Sequence, residues 1–251
     1  SENTEARLHG LLGLAEVARA GSERARARSL YRQVADQQID ATWKVRALQE
    51  MSDMASEDGD GLAVVSITRE LLGALPPSHP VAPEARLSLV GALLQTNELD
   101  EAGRMCQSAL DAAPNARTKQ AAQVACAEVW ERSGEWQKAM SSYRSVLTEV
   151  APPDVLTDAA LGVARSAFAL GEAHAVIAPI DNTLKLADAP ALRLPLLSMQ
   201  IRALRELDQP LALQAAIAER DTLAEQVPEV AWTAFVDAAG QSRTSGHPLT
   251  A

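Results

Sequence analysis

Few residue types in this 251-residue chain could do chemistry, and their spacing decides most cases. A tetrahedral metal site needs four close ligands. The four histidines, His9, His79, His174 and His247, stand far apart and make no metal-binding spacing. Cys106 and Cys126 would need two further ligands, and none is evident. They read as buried structural thiols, with a disulfide as the less favoured alternative. The run SEDGDGL places Asp58, Asp60 and Gly61 as a calcium loop would, but the bidentate Glu such a loop needs at its twelfth position is Ile67. It reads as a turn between helices. No glycine-rich phosphate loop, nucleophile elbow or Ser/His/Asp set is present. The expectation is a non-enzymatic protein with no catalytic residues, no metal and no cofactor.

Charge narrows the partners. The net charge is −10 and the sequence pI about 4.9. Phosphate backbones and anionic membrane surfaces are held by clustered Lys and Arg, so neither is expected. Only eight aromatic residues are available, and four of them lie in helix-packing positions, which leaves no base-stacking surface. No apolar run reaches the ~18 residues of a membrane helix, so direct membrane insertion is not expected. A protein or peptide partner is left, and self-association is open.

The elements that must position any site are helices. Ala, Leu, Arg, Glu and Gln dominate, and these favour helix. β-branched residues show no period-2 alternation, so strands are unsupported. Turn residues recur at Gly21-Ser22, Asp58 to Gly61, Asn97, Pro114-Asn115, Gly134, Pro152-Pro153, Gly171, Pro190 and Asp208 to Pro210. Between them lie runs of about 12 to 17 residues, the length of ordinary globular helices.

These runs repeat. With Ala139 as anchor, matching positions are Ala27, Ala63, Ala102, Val176 and Leu213, at steps of 36 to 39 residues. Four residues after each anchor stand Tyr31, Ile67, Cys106, Tyr143, Ile180 and Ile217. Five before stand Ser22, Asp58, Asn97, Gly134, Gly171 and Asp208, all turn or cap formers. Nine before stand Ala18, Met54, Leu93, Trp130, Ala167 and Leu204, all apolar. A small anchor lets two helices approach closely, and the residue one turn later fills the groove between them. One such hairpin cannot bury its own apolar face, whereas stacked hairpins can.

The pattern Cys126-Ala127, Trp130, Gly134, Trp136, Ala139, Tyr143 and Pro152 resembles the tetratricopeptide repeat (TPR). Leu89, Leu93, Asn97, Ala102, Cys106, Ala109 and Pro114 match nearly as well, as do Leu14-Ala15, Ala18, Ala27, Tyr31 and Val34. The second repeat departs, with Glu50-Met51 where the family has an apolar–small pair, and the period is near 37 instead of 34. The resemblance implies an all-α, right-handed α-solenoid of stacked antiparallel hairpins. Six repeats are expected, at about 5–38, 41–77, 81–114, 117–151, 154–188 and 190–225. Val230, Ala231, Ala234, Phe235 and Ala238 share one helical stripe, which predicts a capping helix over 228–239, with the first helix of a seventh repeat as the alternative. A mobile tail is expected over 241–251, the solenoid itself spanning 1–240.

In this family the first helix of each repeat lines a concave groove. Carried over, the inward positions offer acidic Glu84, Glu128, Glu131 and Asp158, basic Arg165, Arg202 and Arg205, and apolar Leu87, Leu94, Val124, Leu161 and Phe168. Lys and Asn, which clamp a C-terminal carboxylate in chaperone-type grooves, are absent from these positions. The resemblance implies a scaffold that docks a peptide or protein segment having an apolar anchor and opposite charges at its ends. The alternative is an assembly or spacer segment of a larger bacterial cell-envelope or polysaccharide-export protein.

Overall fold

The computed structural model describes residues 2–37, 41–76 and 79–226, and these contain twelve α-helices and no strand. They form two compact units, divided between Thr118 and Lys119. The first holds three antiparallel hairpins: α1 (Glu2–Ala20) with α2 (Arg24–Ala35), α3 (Ala41–Glu57) with α4 (Gly61–Ala74), and α5 (Ala82–Gln95) with α6 (Leu99–Asp111). In the second, α7 (Ala116–Arg132), which enters the unit at Lys119, pairs with α8 (Trp136–Leu147). It is followed by α9 (Pro153–Leu170) with α10 (His174–Leu184), and α11 (Pro190–Glu206) with α12 (Pro210–Gln226). The segments expected as a capping helix, 228–239, and as a tail, 241–251, lie outside the described residues. No described helix is long and apolar enough to cross a membrane.

All six hairpins turn by the same device. The first helix of each ends on a residue with positive φ: Ser22, Gly59, Asn97, Gly134, Gly171 and Asp208. The next residue's N–H closes the turn by donating back to a carbonyl five residues earlier: Glu23 to Ala18 (2.8 Å), Asp60 to Ala55 (3.0 Å), Glu98 to Leu93 (2.8 Å), Glu135 to Trp130 (2.8 Å), Glu172 to Ala167 (2.8 Å) and Gln209 to Leu204 (3.0 Å). This Schellman arrangement satisfies carbonyls that a helix end otherwise leaves unpaired. Five of the six closing residues are acidic, which suits the positive end of the helix that follows.

The second hairpin corrects the sequence register by one residue. Its left-handed residue is Gly59 (φ +68°), not Asp58. The anchor is therefore Val64, whose N–H bonds to the Asp60 carbonyl (3.0 Å) as that of Ala139 bonds to Glu135 (3.0 Å). Val64 is buried, whereas Ala63 is only half-buried. In this register the pair thirteen and twelve residues before the anchor is Met51-Ser52, apolar then small, so the apparent departure at Glu50-Met51 disappears. Ser52 and Thr68, both buried, share a hydrogen bond of 3.0 Å between their hydroxyls.

The repeat columns form the core. Ala27, Ala102, Ala139 and Val176 are fully buried, as are Tyr31, Tyr143 and Ile180 one turn further on. Burying a large side chain of this kind stabilises by roughly 1.5–3 kcal/mol. Cys106 and Cys126 are both buried, but neither is a free thiol, which corrects the expectation of two reduced core cysteines. In the second unit α8 packs on α9, and the Tyr143 ring lies against Gly162. A Cβ at Gly162 would sit 2.4 Å from two ring carbons, so only glycine leaves the aromatic its room.

Candidate functional site

The structure divides the inward residues between the two units. In the first, all three lie on α5: Glu84 is exposed, Leu87 half-buried and Leu94 buried. In the second, nine fall on α7, α9 and α11, and several are in contact.

The centre of this second group is Arg165 on α9. Its Nε donates to Glu131 Oε1 at 2.6 Å and its Nη2 to Glu131 Oε2 at 2.9 Å, a two-pronged pair between α9 and α7. The hydroxyl of Tyr143 on α8 donates to the same carboxylate at 2.9 Å. The guanidinium is about one-quarter exposed and the Glu131 carboxylate less, so water screens the pair weakly. Burial works against the Arg165 charge, but the hydrogen bonds and field of Glu131 outweigh it and raise its pKa. Burial raises the Tyr143 hydroxyl far above its ordinary value, and the negative Glu131 adds to the effect, so the hydroxyl stays a donor.

Two further carboxylates border this pair. Glu128, one turn before Glu131 on α7, is half-buried. Desolvation raises its pKa, Arg165 opposes the rise, and Glu131 and Asp158 reinforce it. Asp158, on the exposed side of α9, is raised by desolvation and by Asp154, against the pull of Arg165. Arg165 is thus committed to Glu131, while Glu128 and Asp158 lie within its field, and Arg132 is a second cation acting on Glu128.

Arg165 therefore belongs with the acidic residues and not with a basic end. The positive side of the face is Arg202 and Arg205 on α11. Arg202 stacks its guanidinium 3.9 Å from the centre of the Phe168 ring and pairs with Glu206 at 3.2 Å. Arg205 is exposed. Between the charges lie Leu161 and Phe168, both half-buried, while Val124 is buried at the edge of the core.

One relation generates both inter-helix contacts. Glu131 stands eight residues before its anchor and Arg165 eleven before the next. Phe168 and Arg202 stand in the same two columns, one hairpin on. Each pair is 34 residues apart, one period less a helical turn. The sequence carries no signal for Tyr143 as a partner of Glu131, because its position four after the anchor reads as packing alone. Among the described residues no cluster of His, Cys, Asp and Glu could hold a metal.

No protein-family model matches the sequence, and no curated protein does. Solved structures do. A TPR protein from Parabacteroides merdae superposes with a TM-score of 0.61 over 91% of this chain and 84% of its own, at 14% identity. The apo quorum sensor NprR from B. thuringiensis gives 0.72 over 96% and 71%, at 11% identity. TPR-like repeats of a kinesin light chain from Podosopora anserina give 0.59 over 76% and 99%, at 16% identity. The chain has the all-α fold of TPR-type helical-repeat proteins.

Proposed function

We propose that the protein is a non-enzymatic interaction scaffold, and that the face of α7, α9 and α11 docks a peptide or protein segment. The observation that carries this reading is the charge layout of that face. An acidic group at Glu128, Glu131 and Asp158, only partly neutralised by Arg165, is followed by half-buried Leu161 and Phe168 and then by Arg202 and Arg205. Such a face matches a segment with a basic residue at one end, an apolar residue in the middle and an acidic residue at the other. Complementary charge of this kind selects the partner and fixes its direction more than it adds affinity. The fold shared with the quorum sensor NprR accords with a docking role.

Selection of twelve-residue peptides from a display library tests the reading. Enriched sequences should carry opposite charges on either side of an apolar residue. Arg202→Glu with Arg205→Glu should weaken the selected peptide about tenfold or more. Affinity within about twofold of the parent, ~0.4 kcal/mol, would refute the basic end. Glu128→Lys with Asp158→Lys tests the acidic end in the same way.

A further inference from the structure

Arg165 and Arg202 occupy the same column one hairpin apart, but their guanidiniums are held differently. Arg165 donates through both Nε and Nη2 to Glu131, so its fork is taken. Among the described residues Arg202 donates only through Nε, to Glu206 one turn later on α11, at 3.2 Å. Its plane is set by Phe168 on α9, whose ring centre lies 3.9 Å from the guanidinium carbon. The Arg202 side chain is 32% exposed, and Phe168 is half-buried. A ring on one side and a carboxylate at one edge hold the guanidinium in place. A ligand group therefore meets it already oriented, with little rotamer freedom left to lose. In the first unit the same two columns hold Arg19 with Asp53 and Ser56 with Gly91, and neither pair sets an aromatic under a cation. The stack is particular to α9 and α11 and is not a feature of the repeat.

We propose that the apolar anchor of the docked segment is an aromatic side chain, which stacks on the Arg202 guanidinium opposite Phe168. The inference rests on the docking face proposed above and specifies its occupant. Covering the outer face of a guanidinium strips water from a cation, which costs free energy. An aromatic ring offsets that cost through the negative charge of its π-face, and the flat guanidinium matches such a face. An aliphatic anchor offsets none of it. The site therefore prefers phenylalanine, tyrosine or tryptophan to leucine, isoleucine or valine. Stacking leaves the Nη edge of Arg202 open. Arg202 and the exposed Arg205 can then still hold the acidic residue beyond the anchor.

Parallel selections from the twelve-residue library, on the parent chain and on Arg202→Lys, test this. Lysine keeps the charge and loses the flat face. On the parent, the residue between the charged ends should be aromatic about fivefold more often than aliphatic, after correction for library frequency. On Arg202→Lys the charged ends should persist, which also shows that the variant folds, and the aromatic preference should vanish. Titration calorimetry with a selected peptide closes the cycle. Replacing its aromatic residue by leucine should weaken binding to the parent about fivefold, and binding to Arg202→Lys by less than about twofold. Equal enrichment of aliphatic residues overturns the stack and leaves the charge layout standing. An aromatic preference that survives Arg202→Lys does the same. A library with no binder to the parent sinks the docking face, and the stack with it.

Discussion

Replacing Gly162 by alanine tests the packing argument at its tightest point. A helix interior ordinarily gains about 0.8–1 kcal/mol from Gly→Ala, because alanine loses less backbone freedom. Here the new Cβ would meet Cε2 and Cζ of Tyr143 at 2.4 Å and Cε1 at 2.5 Å, more than an ångström inside normal carbon contact. The ring has little room to retreat. It is fully buried, and its hydroxyl is held by Glu131 at 2.9 Å. α9 must move away from α8, and overpacking of this depth costs about 3 kcal/mol or more. The net expectation is a loss of about 2 kcal/mol. Urea unfolding, followed by the fluorescence of Trp130 and Trp136 in the adjoining hairpin, should show a lower midpoint at unchanged slope. Gly91→Ala in α5 is the control: nothing lies within 4 Å of its Cβ, and it should gain up to ~1 kcal/mol. Adding Tyr143→Leu to Gly162→Ala should recover part of the loss by removing the ring. If Gly162→Ala stabilises as Gly91→Ala does, the assigned contact between α8 and α9 is wrong.

Gly134→Ala should cost about 1–2 kcal/mol through backbone strain alone, since its φ is +76° and open space surrounds it, while Ser22→Gly and Asn97→Gly should raise the melting temperature. Arg165→Met leaves Glu131 without its ion pair and should cost about 3 kcal/mol in denaturant unfolding, with a substantial part returned by adding Glu131→Gln. The raised Glu128 gives a pH signature of definite sign. The folded state holds this proton more tightly than the unfolded state, so the stability it contributes is present below the unfolded pKa and is lost as pH rises through the folded value. Glu128→Gln should therefore stabilise at neutral pH and change little in acid, and a pH series of unfolding midpoints for the two proteins will show whether it does.

The one-residue correction in the second hairpin shows where the sequence pattern loses resolution. Asp58-Gly59-Asp60-Gly61 offers four adjacent residues that tolerate a turn. Composition places the turn in this run, but only backbone geometry selects Gly59. At Gly134 and Gly171 a lone glycine stands between helical runs, and the register was unambiguous. Residue type and position do not specify which charges pair. Arg165, Arg202 and Arg205 occupy inward positions of successive hairpins, which gave no reason to separate the first from the others. Its separation comes from Glu131, a partner 34 residues away on another helix.

By itself the sequence determined the all-α class, the recurrence of helix, turn and helix near every 37 residues, and the core columns outside the second and last hairpins. These depend on rules that act within a few residues: helical periodicity, the tolerance of Gly and Asn for positive φ, and the small size of an anchor. Only the tertiary structure decided that Tyr143 rests on Gly162, that Glu131 claims Arg165 and that Arg202 caps Phe168. Each of those contacts joins residues nineteen or more positions apart, and no local preference specifies it. Which charge meets which is set by the stacking of neighbouring helices, and that stacking exists only once the hairpins are packed.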